Sequence, residues 1–384
     1  MNLGPSHNAT HGTLRTVMEL DGERVVQAVP ELGFLHTGFE KLGENRHWND
    51  FITLTDRTNY LSPMANNFGY AMAVERLLGI EIPPRAQYLR VIFAEMARIS
   101  DHMLSLGTMA LDLGAFTAFL YGFKMREVLY DIFEAVTGAR FTVSYARVGG
   151  LACDVPADFG AMCRDFLERC PVAINDMAEL LDKNRIFQDR TRGVGVISKE
   201  DAVSWCITGP CIRASGIAHD LRQARPYSSY GDFTFDVPVG ENGDVYDRYL
   251  VRMEEMRQSL RIIEQAVARL PGGPIMTDDE RVALPSKDKV YGSIEGLIYH
   301  FKQIMDHHGF HPPRGEAYGA AEAPNGELGY YVVSDGGICP YRVHIRPPSL
   351  LHYQIFPHLM RGRLLSDAVA VLGSLNVIAG ELDR

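Results

Sequence analysis

Residues 83–114 read PPRAQYLRVIFAEMARISDHMLSLGTMALDLG, with apolar positions at Leu89, Ile92 or Phe93, Met96, Ile99, Met103 and Leu106. That three-to-four spacing is the period of an α-helix with a buried face. Pro83-Pro84 suits its start, because proline fixes φ where the first helical N–H groups lack partners. A second stripe runs Phe116, Phe119, Leu120, Phe123, Val128, Ile132, Phe133 and Val136, and Gly138 ends it. A third runs Leu250, Met253, Met256, Leu260, Ile263, Val267 and Leu270, before Pro271-Gly272-Gly273. Another helix is predicted from Ile294 to Met305. Helices of this length and density pack along shared apolar stripes into a bundle core.

The two ends of the chain carry a different period. Leu14, Thr16, Met18 and Leu20 alternate, Asp21-Gly22 marks a turn and Val25-Val26 begins the return. Asp-Gly between such runs is a strong hairpin signal. From about Gly38 the period becomes helical. Glu316 to Ser334 is strand-like and broken at Pro324-Asn325-Gly326; Tyr341 to Ile345 alternates and stops at Pro347-Pro348. The expected fold class is mainly α (α+β), a helical core with small antiparallel β pieces at both ends. One domain is expected over 1–384, comprising a β hairpin (1–35), a helical core (36–310), and a C-terminal β hairpin with short helices (311–384).

Of the 384 residues, 46% are hydrophobic and 22% charged, and the formal net charge is -10 with acids and bases interleaved. That balance does not supply the basic face a nucleic acid requires, nor a polybasic patch for anionic lipid. No run reaches the ~18 apolar residues of a membrane span. Met1-Asn2-Leu3-Gly4-Pro5 lacks the basic-then-apolar layout of a secretory leader, so a cytoplasmic location is expected. The six cysteines form no C-x-x-C pair, which argues against zinc ribbons and the common iron–sulfur runs and for small buried hydrophobes. Gly193-Val194-Gly195 lacks the third glycine and the βαβ setting of a dinucleotide fingerprint, so NAD binding by this chain is not expected.

Several polar positions stand out. Gly4-Pro5-Ser6-His7-Asn8-Ala9-Thr10-His11-Gly12 places two histidines and two hydroxyls before the first long strand. Such a segment is either a solvated loop or a functional one, and it lacks the further ligands zinc needs. Tyr60 alone reads as a buried aromatic with a satisfied hydroxyl. Asp112, at the end of the first helix, is either a helix-end polar group or the partner of a cation. His307, His308 and His311 read as structural imidazoles near a helix C-terminus. The glycine-rich Asp335 to Arg342 turn reads as a loop.

Over its whole length the chain resembles the D-subunit family of NADH:quinone oxidoreductase, respiratory complex I. The segments that carry the resemblance include Gly4-Pro5-Ser6-His7, Gly33-Phe34-Leu35-His36-Thr37-Gly38-Phe39-Glu40-Lys41, Tyr145-Ala146-Arg147-Val148-Gly149-Gly150, Arg213-Ala214-Ser215-Gly216, Gly326-Glu327-Leu328-Gly329, Arg346-Pro347-Pro348-Ser349 and Gly380-Glu381-Leu382-Asp383-Arg384. That family is in turn similar to the large subunit of nickel–iron hydrogenases, which implies a hydrogenase-large-subunit-like helical core. Where those hold metals with two C-x-x-C pairs, this chain has His7 to His11 at one end and Cys339-Pro340-Tyr341-Arg342 at the other. The resemblance therefore implies no metal and no cofactor bound by this chain, and a cavity free for a quinone substrate.

It further implies that His11 and Tyr60 bind the quinone headgroup, with His7 as the loop's other histidine, and that Asp112 pairs with His11. The residue types suit the chemistry. Reducing a quinone takes two electrons and two protons, and a Tyr hydroxyl and a His N–H can each bond a carbonyl and pass on a proton. Free tyrosine titrates near pH ~10 and histidine near ~6.5, so both can carry that proton at neutral pH. A carboxylate behind the imidazole orients it and favours its charged form. NADH, FMN and the iron–sulfur clusters are expected in partner subunits. The expected partners are the B subunit, which carries the terminal iron–sulfur cluster, the C subunit and the membrane-embedded H subunit. The expected location is the cytoplasmic side of the bacterial inner membrane. A sibling complex driven by ferredoxin or a deazaflavin, or a non-catalytic scaffold, fits the same motifs. Thr142 stands where many relatives carry histidine, and Thr37 where mitochondrial relatives carry arginine.

Overall fold

The computed structural model describes residues 1–305 and 309–384. Thus His307 and His308 lie outside the described residues, while His311 sits in a loop with its Nδ1 3.2 Å from the Gly336 carbonyl oxygen. The longer helices are α1 (Pro63–Leu78), α2 (Pro84–Asp112), α3 (Phe116–Thr137), α4 (Phe159–Leu181), α5 (Val245–Ala268), α6 (Ile294–Ile304) and α7 (Asp367–Leu375). The chain is mainly α with small antiparallel sheets. No helix among the described residues is long and apolar enough to cross a membrane.

Helix α2 is the axis of the molecule. Every residue of its expected stripe, Leu89 through Leu106, is buried. Its other faces are buried too, because α1, α3, α5 and α7 all pack against it. A helix so enclosed brings polar residues inside with it. Glu95, Arg98, Asp101 and His102 are at most 1% exposed, and each needs a partner to offset lost hydration.

Helix α3 departs from its expected stripe. Phe116 and Leu120 are exposed, and the face turned to the core carries Ala118, Gly122, Met125, Leu129 and Ile132. The reason is close packing. A Cβ on Gly122 would lie 2.9 Å from the Met103 carbonyl oxygen, and one on Gly107 would lie 3.2 Å from the Phe119 Cα. The helices approach through their glycines, so the aromatics turn aside from the contact.

At the N-terminus β1 (Asn2–Leu3), β2 (Arg15–Asp21) and β3 (Arg24–Glu31) form an antiparallel sheet in the order β1-β2-β3. The turn is Gly22-Glu23, one residue beyond the expected Asp21-Gly22, because Asp21 still pairs with Arg24; Gly22 has a φ of +60°. Midway, β4 (Ala146–Arg147) and β5 (Gly150–Leu151) make a small ladder. At the C-terminal end β6 (Gly315–Ala323), β7 (Gly326–Ser334) and β8 (Arg342–Arg346) form a meander, with Ala323 opposite Gly326 across the Pro324-Asn325 turn. This sheet covers α1 through a second apolar cluster built on Tyr70, Val74, Tyr330, Val332 and Ile345. Cys163, Cys170 and Cys211 are buried as expected of small hydrophobes, whereas Cys206 is exposed. Cys206 lies beyond the helix Lys199–Ser204 at a φ of +53°, outside any apolar stripe.

Candidate functional site

The C-terminal half of α2 borders a cavity of about 300 Å³. Its walls come from α2, α3, the end of α7 with the following residues, the N-terminal loop, and the turn between residues 58 and 63. His11, Tyr60 and Asp112 all line it. These residues are far apart in sequence, and the fold brings them to one space. The rest of the wall is largely apolar, including Leu14, Leu104, Phe119, Phe123 and Ile378. An apolar body with a few polar groups at one side suits a flat, weakly polar ligand held by its carbonyls.

Tyr60 is set by a buried polar corner. Asp56, on the helix Ile52–Thr58, accepts from Asn67 Nδ2 at 2.9 Å and from the Ser144 N–H at 3.1 Å. Asn59 accepts the Leu61 N–H at 3.2 Å, an Asx turn that bends the chain at Tyr60 before Pro63 opens α1. Asn66 donates to the Asn59 carbonyl at 2.9 Å, and Asn59 Nδ2 donates to Glu381 at 3.2 Å. The Tyr60 ring lies 6.3 Å from that of Phe141. Burial first, and Asp101 second, raise its hydroxyl above the ordinary tyrosine range, so it holds its proton at neutral pH.

The histidine loop is ordered by its own bonds. His7 caps the short helix Asn8–Thr10, its Nδ1 accepting the Ala9 N–H at 3.1 Å. That bond puts the proton of a neutral His7 on Nε2. Thr10 donates to the carbonyls of Pro5 (3.0 Å) and His7 (2.9 Å), closing the loop on itself. His11 ends the turn in the left-handed region at a φ of +52°. His7 and His11 are both exposed, and His7 is not on the cavity wall. Asp112, at the end of α2, is half-buried. Burial raises its carboxyl above the ordinary range, and His11 and then His7 pull it back down. The carboxyl therefore feels both imidazoles.

The C-terminal counterpart expected opposite the histidine loop, Cys339 to Arg342, is not on the cavity. It lies beside the C-terminal sheet instead: the Tyr341 N–H donates to the Val333 carbonyl at 2.9 Å, and Gly337 just before it accepts the Trp48 indole N–H at 3.2 Å. The cavity is closed instead by Leu372, Gly373 and Asn376 to Ile378. Sequence reasoning also misses Ser105, Thr108 and Asn376. The first two recur with Asp112 at helical spacing, a pattern that marks one polar strip. Nothing local distinguishes Asn376. Phe119 and Phe123, expected in the core, instead face the cavity.

Among the described residues no group of three or more His, Cys, Asp or Glu side chains is placed to hold a metal ion.

The family model for the respiratory-chain NADH dehydrogenase 49 kDa subunit matches residues 112–384. The chain is 50% identical over its whole length to the D subunit of NADH-quinone oxidoreductase from Geotalea uraniireducens, covering 98% of that protein. It is 51% identical over its whole length to the D subunit from Methylacidiphilum infernorum, covering 91%. In Bdellovibrio bacteriovorus the similar protein is a joined C/D subunit, 52% identical over this whole chain and covered to 68% of its own length.

Proposed function

From the premise that this chain belongs to the 49 kDa subunit family of the respiratory-chain NADH dehydrogenase, we propose that its cavity is where quinone is reduced to quinol. The observation that carries this reading is the convergence of His11, Tyr60 and Asp112 on one largely apolar cavity. The chain is one subunit of an oxidoreductase complex, and the electrons originate from NADH. They enter from the terminal iron–sulfur cluster of the adjacent B subunit, so the cavity works at the junction of two proteins. Proton translocation belongs to the whole complex and is coupled to this step.

The residues divide the work by their chemistry. Tyr60, protonated at neutral pH, donates a hydrogen bond to one quinone carbonyl and His11 N–H to the other. As the two electrons arrive, the carbonyl oxygens become basic and each takes a proton from its donor. Asp112, on the same cavity wall as His11, supplies a negative charge on that side of the headgroup. The apolar wall keeps water from the headgroup and accommodates the start of an isoprenoid tail. The joined C/D name of the Bdellovibrio protein supports the C subunit as a neighbour. The exposed Phe116, Leu120 and Tyr121 of α3, and Phe141, whose ring lies 6.3 Å from that of Tyr60, suit contact with the B subunit and the membrane-embedded H subunit. The cytoplasmic face of the inner membrane is the matching location.

Asp112→Asn tests the assigned roles. The variant is expected to lower quinone turnover about tenfold or more, and to lower pumping with it. Asp112 is half-buried and tied to no helix cap, so the complex should assemble and resist heat as before. Normal quinone turnover with normal pumping would refute the role given to Asp112.

A further inference from the structure

Beneath the cavity lies a carboxyl group that quinone binding does not use. At 100° per residue, Asp101, Ser105, Thr108 and Asp112 of α2 fall within about 60° of one another, so one polar strip runs down the helix. Ser105, Thr108 and Asp112 line the cavity. Asp101 continues the strip inward, three turns or roughly 16 Å below Asp112, and is 0% exposed. Its Oδ1 accepts from Asn376 Nδ2 at 2.8 Å, and Asn376 is itself on the cavity wall. Among the described residues, Asp101 Oδ2 and Ser105 Oγ have no hydrogen-bond partner although both are buried. A charged, half-satisfied carboxylate at such a place is costly, whereas a protonated one is not.

We propose that Asp101 is a positioning residue for quinone reduction that acts through Tyr60, holding the proton that recharges the tyrosine after each turnover. The proposal rests on the quinone reading of the cavity. In the step itself the Tyr60 O–H bond breaks and an O–H bond of the quinol forms, leaving a phenolate. The second proton leaves His11, and the two electrons come from NADH. The Asp101 O–H bond then breaks and the Tyr60 O–H bond re-forms, with the Ser105 hydroxyl, one turn nearer the cavity, passing the proton along. Asp101 is left as a carboxylate and regains a proton from solvent.

The surroundings favour a stored proton. Burial raises Asp101 above the ordinary aspartate range; its neighbour His102, the Asn376 amide, Arg252 of α5 and Arg126 of α3 pull in the other direction. Glu381, on the C-terminal helix Ala379–Asp383, faces it as a second buried acid. Burial, opposed by the Ser349 N–H and reinforced by Asp101, pushes Glu381 up to about 7. An ionised Asp101 therefore makes Glu381 harder to ionise. Asp101 in turn adds to the raised position of the Tyr60 hydroxyl, so a phenolate at Tyr60 and a carboxylate at Asp101 are both disfavoured.

The test is the pH profile of NADH:quinone reductase activity in membranes carrying the whole complex with Asp101→Asn, alongside NADH oxidation by a hydrophilic acceptor. The acid form supplies the proton, so wild-type activity falls as pH rises and Asp101 loses its proton. The variant has no acid form at 101 at any pH. It should be slower by about tenfold or more on the acidic side, converge on wild type at alkaline pH, and retain hydrophilic-acceptor activity. A uniform loss at all pH values would mark a structural role and overturn the proposal. Should Asp101→Asn fail to assemble, Ser105→Ala decides: a flattened acid-side profile supports the relay, and a wild-type profile overturns it. Tyr60→Phe measured in parallel separates the two readings. Full quinone activity in that variant removes the cavity assignment itself, whereas loss there with an unchanged profile at Asp101 removes only this proposal.

Discussion

Tyr60→Phe is expected to cut NADH:quinone reductase activity of the assembled complex by about 10²–10⁴-fold, the usual worth of a positioned proton donor. The substitution removes one oxygen and keeps the ring against Phe141. Its corner is held by Asn59, Asn66 and Asp56 rather than by the phenol, so the turn keeps its shape. NADH oxidation by a hydrophilic acceptor, which bypasses the quinone, should stay at the wild-type rate. That pair of rates separates lost chemistry from lost assembly. Retention of both activities would make Tyr60 a packing residue and favour a scaffolding role for the chain.

Arg213→Met should have the largest effect on stability. Arg213 is 0% exposed and joins three acids from different parts of the chain. Its Nε donates to Glu255 of α5 at 2.7 Å and its Nη1 to Glu322 of β6 at 2.8 Å, with Asp220 3.6 Å away. Glu255 also meets His102 of α2 at 2.9 Å, and Arg222 bridges Asp220 to Glu95 of α2 at 3.0 Å. The network thus ties α2 to α5 and to the C-terminal sheet. Arg213 is the largest reason Glu255 stays ionised despite complete burial. Methionine fills similar volume but leaves Glu255 and Glu322 short of a cation, which costs about 3–5 kcal/mol for a broken buried pair. Thermal inactivation of the complex should move to clearly lower temperature, or assembly should fail. Arg213→Lys should recover only part of the loss, since one ammonium cannot reproduce the two-sided guanidinium contact. Wild-type heat resistance in Arg213→Met would show that the network contributes no net stability.

The parts of the fold legible in the sequence were those with a regular period. Helix α2 begins at the expected proline, α3 ends at Gly138 and the Pro324-Asn325 hairpin turns where its residue types require. What the period could not reveal was which face a helix would turn inward. In α3 the phenylalanines suggested the core face, but Gly122 and Gly107 set the contact, because close approach of backbones outweighs placing the largest side chains between them. Helix α4 carries Pro171 inside its span, which obscures it in the sequence. Its Cys163, Phe166, Cys170, Ile174, Met177 and Leu181 nonetheless keep helical spacing and are all buried.

For the site, residue chemistry alone left His11, Tyr60 and Asp112 with ordinary structural explanations. Family resemblance selected them, and long-range packing is what places them together. The same packing moved Cys339 away from the cavity and put residues 372–378 there, a long-range outcome with no local signal. Asp101 was hidden for another reason. In the sequence it looks like one more polar residue on a long helix, and only its complete burial beside Asn376 gives it meaning.

A quinone held in the cavity beside α2 can be caught there by photolabelling. Membranes containing the whole complex would be illuminated with a short-chain azido-quinone and the label mapped on this chain. Labelled peptides are expected from the cavity wall, at residues 9–14, 60–61, 104–123 or 372–378, with labelling suppressed by excess unmodified quinone. Competable label confined to other segments, or to other subunits, would contradict that placement of the quinone.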